Sequence, residues 1–380
     1  MNGAVGDSAA GASPAPAWSK PRRGLAAVRV LIRITVPVMA GLILGAVILA
    51  LLGRNPWTFY SDLFRAGLIS HQGWQAMLTR LAPLLLMSAG YVVAFRAGLW
   101  NIGGDGQFLL AAAFVAGLSP TLVAGLPRPL ALLLLGLLGM AVGGVWTLLP
   151  SYLKAWFGVN EIITTVMMSF IGMNLAALLI KEAWRTESVM VPQTDAVPLD
   201  QLLPRLGGTT IHAGIIVAGV VVLAVWYVLR YTATGLRLTV LGASPAAARH
   251  AGLPVRRLIV GAFFASGALV GLGAALEILG VWGYMRADWN PKFGLALFAL
   301  VFLARLDPLG AAPLATFYAV LDIGGHEAAR TASLDSDFIL VLVGLILLCL
   351  AAWQVLRLPA GERLTWWRCL GDRLRLRDTP

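Results

Sequence analysis

Long stretches of this chain carry no charge. Thr35 to Leu52, Pro129 to Leu149 and Phe338 to Leu356 are apolar almost throughout. At ~1.5 Å rise per residue, a helix over any of them could cross a hydrocarbon layer roughly 30 Å thick. Apolar runs bounded by charged or Gly/Pro-rich breaks recur ten times, near 28–52, 78–95, 107–125, 129–149, 161–180, 211–229, 257–282, 291–305, 309–324 and 337–357. Each predicts a spanning helix. The third, eighth and ninth are the least sharply bounded. Ser119-Pro120 interrupts the third, and only Leu306-Asp307-Pro308 separates the short eighth and ninth. The pattern defines an all-α, polytopic integral membrane protein with about ten transmembrane helices. Spans two to five and seven to ten also form two comparable blocks. An offset of five spans would make them an inverted repeat, a frequent transporter plan.

Composition agrees. Hydrophobic residues make up 59% of the 380 and charged residues 12%, with a mean hydropathy of +0.81. A soluble domain would be about a quarter charged. The net charge of +11 invites a nucleic-acid reading, but the basic residues sit in short loops and tails, where they act as orientation signals. With both termini on one side, that side holds 19 of the 29 Lys and Arg residues. Loop 230–257 has no acidic residue, whereas segment 325–337 on the other side carries Glu327, Asp335 and Asp337. Both termini are therefore expected in the cytoplasm. Residues 1–24, rich in Ala, Gly, Pro and Ser, are expected to be a disordered tail, 25–357 the membrane domain, and 358–380 a basic tail. The late start and length of the first run favour a retained span over a cleaved signal peptide.

Several chemistries have no support. Cys349 lies in an apolar run and Cys369 in the basic tail, which is no disulfide framework. His71, His212, His250 and His326 are scattered, with no pair at metal-ligand spacing. There is no Gly-Lys dipeptide, so the phosphate loop G-x-x-x-x-G-K-[ST] cannot occur. No clustered nucleophile, base and orienting group is visible. Gly139/Gly143 and Gly267/Gly271 have the spacing that lets membrane helices approach closely.

Two features carry functional interest. The first is the break Phe95-Arg96-Ala97-Gly98-Leu99-Trp100-Asn101-Ile102-Gly103-Gly104-Asp105-Gly106-Gln107. Its glycines Gly103, Gly104 and Gly106 disfavour a continuous helix, and in transporters such breaks line polar cavities. Asn101, Asp105 and Gln107 would offer donors and acceptors there, with Trp100 and Phe108 as stacking surfaces. The alternative is an ordinary turn capped by Asp105. The second feature is the basic loop. Ser244 suits an N-cap, Pro245 the first helical position, Gly252 a left-handed stop, and Pro254 blocks continuation. A helix this short needs support. It either merely links two spans or docks a cytoplasmic partner through Arg249, His250, Arg256 and Arg257. Elsewhere, Asn160 and Glu161 suit the start of the fifth span. Thr164, Thr165 and Ser169 fall on about one face of that helix and either line a path or bond their own backbone. Glu277, inside the seventh span, should face protein or water and have a pairing or pathway role.

Loop 230–257, preceded by Thr234-Gly235-Leu236-Arg237-Leu238, resembles the coupling loop of permeases of the simple-sugar and nucleoside class of ABC importers. Asn101-Ile102-Gly103-Gly104-Asp105-Gly106-Gln107 and Gly158-Val159-Asn160-Glu161-Ile162-Ile163-Thr164-Thr165 are similar to two further motifs of that family. Ser266-Gly267-Ala268-Leu269 through Glu277, and Arg305-Leu306-Asp307-Pro308-Leu309-Gly310, match two more, so the likeness covers roughly residues 80–350. Asp307 stands where Asn is commoner, and Ser169 where nucleoside members usually have Asn.

The resemblance implies a permease subunit of the bacterial plasma (inner) membrane that binds no cofactor itself and is not an enzyme. Its implied partners are cytoplasmic ATPase subunits holding ATP and magnesium, a second permease, identical or homologous, and an extracytoplasmic substrate-binding protein. It implies a nucleoside or simple sugar as cargo. The implied pathway comprises Trp100, Asn101, Gly103, Gly104, Asp105, Gln107, Phe108, Asn160, Thr164, Thr165, Ser169 and Glu277, with coupling through Ser244, Pro245, Arg249, His250, Gly252 and Arg256. The rival is a proton- or ion-coupled secondary transporter using Asp105, Glu277 or Asp322.

Overall fold

The computed structural model describes residues 23–335 and 338–356. Most of the expected N-terminal tail, the C-terminal tail with Cys369, and Asp337 lie outside the described residues. The first half runs α1 (Arg23–Leu51), α2 (Pro56–Phe64) with a π turn at Arg65–Ile69, α3 (His71–Arg96), α4 (Gly104–Leu122), α5 (Arg128–Trp146), α6 (Leu148–Phe157) and α7 (Glu161–Glu182). The second half runs α8 (Gly214–Tyr231), α9 (Ala233–Ala243), α10 (Pro245–His250), α11 (Val255–Glu277) with a π turn at Ile278–Trp282, α12 (Phe293–Leu303), α13 (Pro308–Thr331) and α14 (Phe338–Leu356). Among the described residues the only β pairing is two isolated bridges, Gln193 with Arg286 and Arg205 with His212.

All ten apolar runs fall on helices. Five segments, His71–Arg96, Arg128–Phe157, Glu161–Glu182, Gly214–Tyr231 and Val255–Trp282, are long and apolar enough alone to cross a bilayer. Phe293–Leu303 is apolar but shorter. The separate helices α2, α6 and α9 were not legible in hydropathy, because they are polar or appended to longer spans. Local chemistry explains α2: the Asn55 carboxamide accepts from the Trp57 N–H at 2.9 Å, and Pro56 takes the first helical position.

Burial separates centre from periphery. The apolar windows of α3 and α11 are 83% and 72% buried, against 28% for α7 and 22% for α8. The first pair is the axis of the bundle, and the second turns most of its apolar surface outward. The two axial helices contact each other; α3 also packs on α12 and α13, and α11 on α4 and α5. The two axial helices thus exchange partners in matching order, α3 with the two helices that follow α11, and α11 with the two that follow α3. Glycines close the α5–α11 contact: a Cβ on Gly143 would lie 2.2 Å from the Gly267 oxygen, and one on Gly271 2.0 Å from that of Gly139. The two backbones touch there. The end of α3, the end of α6, α9, α10 and the start of α11 converge on one end of the bundle, called here the basic end.

Candidate functional site

The glycine-rich break joins α3 to α4, and its side chains are spent on holding it. The Asn101 amide nitrogen donates to Ser266 Oγ at 2.9 Å and to Gln107 Oε1 at 3.2 Å. Its oxygen accepts from Gln107 Nε2 at 2.8 Å. Two α7 hydroxyls take up backbone donors that α4 cannot satisfy itself: Thr165 accepts from the Ile102 N–H at 3.2 Å and Ser169 from the Gly106 N–H at 3.0 Å. Asn101, Gln107, Thr165 and Ser169 are all buried. The network is closed and staples the break to α7 and α11.

The glycines provide room for this. A Cβ on Gly104 would sit 1.8 Å from Tyr91 Oη, one on Gly106 2.5 Å from Ser169 Cα, and one on Gly103 2.8 Å from the Thr165 oxygen. Phe108 is buried with its ring 5.7 Å from Phe293. Trp100 differs: it is 39% exposed and stacks on Phe302 at 4.9 Å with an 18° tilt. Asp105 reaches across the bundle, where its Oδ1 accepts from the Gly294 N–H at 2.6 Å. It therefore caps α12, not its own turn, and places a carboxylate at the positive end of that helix.

Glu277 has a partner that sequence reasoning could not name. Arg80 Nη1 of α3 lies 2.6 Å from Glu277 Oε1, and its Nε lies 3.1 Å from Asp322 Oδ2 of α13. Trp282 Nε1 also donates to Glu277 Oε1, at 3.2 Å. The guanidinium sits 5.2 Å from the centre of the Phe293 ring, the first residue of α12. One cation thus holds two carboxylates from two other helices, beside the helix end that Asp105 caps. Arg80 was readable only as a lone cation inside the run 78–95.

At the basic end, Ser244 Oγ accepts from the Ala247 N–H at 3.2 Å, Pro245 opens α10, and Gly252 has φ +73°. Ala248 is fully buried, while Arg249 and His250 point outward and are exposed. The short helix is thus anchored by one face. Arg256 lies over Trp156 at 5.6 Å. Asn160 caps α7 by accepting from the Ile162 N–H at 2.9 Å, and Glu161 pairs with Lys154 at 2.7 Å. The Thr164 hydroxyl donates to the Glu161 carbonyl at 3.2 Å. That group is thus bonded to its own helix.

A bundle of crossing helices, five of its segments long and apolar enough to cross a bilayer, is that of a multi-pass membrane protein. A profile for the family described as "Branched-chain amino acid transport system / permease component" matches residues 74–351, and the chain belongs to that family. It is 31% identical, across 82% of its length and 85% of the relative's, to the glucose ABC transporter permease protein TsgB13 of Haloferax volcanii. The guanosine ABC transporter permease protein NupP of Bacillus subtilis is 28% identical over 86% of this chain and 94% of its own. The nucleoside ABC transporter permease protein NupB of Lactococcus lactis is 27% identical over 77% and 84%. The chain is a permease subunit of an ABC importer.

Proposed function

We propose that this chain forms the route by which a nucleoside, or a related simple sugar, enters the cell, with ATP and magnesium on separate ATPase subunits and no catalysis of its own. The observation that carries the reading is α10, held by buried Ala248 and presenting Arg249 and His250 outward. A push on it reaches α11, which packs along α3, α4 and α5. The basic end faces the cytoplasm, in keeping with its charge. A second permease, identical or homologous, and an extracytoplasmic binding protein complete the machine. The guanosine and nucleoside permeases among the relatives support the cargo class. Trp100, partly exposed beside the break, supplies a ring face for a base or sugar. Asn101, Gln107, Thr165, Ser169 and Glu277 act on the pathway by positioning α4, α7 and α11.

The test is ATP hydrolysis by the purified complex in nanodiscs with its binding protein, with and without nucleosides. Stimulation by a nucleoside, lost in Arg249→Glu, is the expected result. Stimulation by sugars alone would replace the cargo. The Arg80–Glu277–Asp322 cluster favours one rival, proton-coupled transport without an ATPase. Uptake driven by a proton gradient, with no ATPase co-purifying, would establish it.

A further inference from the structure

The basic end contains a cavity of about 940 Å³ between the start of the broken segment, the end of α6, α9 and the start of α11. Its charged lining consists of Lys154, Arg249, Arg256 and Arg257, with no carboxylate among the lining residues. Lys154 is neutralised by Glu161 at 2.7 Å. Among the described residues, the three arginines have no carboxylate partner. Unpaired like charges around one concavity repel each other and concentrate anions.

The rim is not uniformly polar. Trp156 lies under the Arg256 guanidinium, and Tyr152 stacks on Trp156 at 4.8 Å. Phe157, next along α6, is 68% exposed, and Ile162 and Ile163 at the start of α7 are exposed as well. An apolar, aromatic surface thus leads away from a cationic cavity, as is usual where a helix bundle meets the membrane interface. A small soluble anion would use the arginines and leave that surface uncovered. A phosphate carrying acyl chains would use both.

We propose that this cavity binds the phosphate headgroup of an anionic phospholipid, with its chains lying along α6 and α7. The headgroup bridges α6 to the segment running from α10 into α11, so its occupancy bears on how far that segment can move. The site rests on the function proposed above, which turns the basic end to the cytoplasm and so sets α6 and the start of α7 at the level of the cytoplasmic leaflet's headgroups. Lipid retention is measured without ATP or cargo, so a failed transport assay and a failed retention assay remain distinguishable.

The full-length chain, purified with its subunits, is passed through phosphatidylcholine vesicles with or without phosphatidylglycerol, and bound lipid is identified by native mass spectrometry. The expected result is selective retention of phosphatidylglycerol. It should fall about 10-fold or more in the double variant Arg256→Gln/Arg257→Gln and be kept in Arg256→Lys/Arg257→Lys. Monodisperse elution of both variants confirms that they are folded. Equal retention of the two lipids, or undiminished retention in the glutamine variant, would overturn the proposal. Inorganic phosphate displacing the lipid completely at millimolar concentration would also overturn it, in favour of a soluble anion.

Discussion

Replacing Arg80 by methionine keeps most of the stem and removes the charge that two carboxylates share. Glu277 is fully buried and Asp322 has 7% of its side chain exposed, so neither can be rescued by water. Removing one partner of a buried ion pair costs roughly 3–5 kcal/mol, because the survivor is left uncompensated. Arg80→Met leaves Glu277 with only the Trp282 N–H and Asp322 with only His326, 3.7 Å away, and should fall within that range. Glu277→Gln leaves Arg80 with Asp322 and keeps an acceptor for Trp282, so roughly 1–3 kcal/mol is expected. The double variant Arg80→Met/Glu277→Gln should be less destabilised than the sum of the two singles, since the second change removes one stranded charge. Thermal unfolding in one detergent, followed by size-exclusion fluorescence, ranks the four proteins. Equal melting of Arg80→Met and Glu277→Gln, or additive single effects, would refute the claim that one guanidinium holds both carboxylates.

Other expectations follow from the same geometry. Asp105→Ala should destabilise by roughly 1–3 kcal/mol by leaving the Gly294 N–H unpaired, and Asp105→Asn by less; melting together with proteolysis of loop 283–292 measures both. Gly143→Ala drives a methyl against the Gly267 carbonyl and should cost about 1–3 kcal/mol, whereas Gly261→Ala, with nothing within 4 Å, should melt like the parent. Ser244→Ala removes the cap of α10, worth about 1 kcal/mol. It should weaken cargo-stimulated ATP hydrolysis while leaving the melting temperature of the membrane helices in place. Trp100→Ala should raise the half-saturating nucleoside concentration about 2- to 10-fold, and an unchanged value would remove Trp100 from the pathway.

Much of this protein was determined by its sequence, for a physical reason. A bilayer rewards long uncharged runs so strongly that all ten runs from 28–52 to 337–357 fall on helices. The cap and stop of α10 were equally legible, because Ser244, Pro245 and Gly252 act on their immediate neighbours in the chain. What tertiary structure decided lies at long sequence separation. Only packing shows that Asp105 caps a helix starting 188 positions later, at Phe293, or that Arg80 faces Glu277 and Asp322. The break reads in sequence as a polar cavity lining. In the fold, Asn101 and Gln107 bond each other, and Thr165 and Ser169 take up the Ile102 and Gly106 N–H groups, because the glycines let α4 sit against α7 too closely to leave those groups free. Residue type states which hydrogen bonds a side chain can make, and only the fold selects the partner.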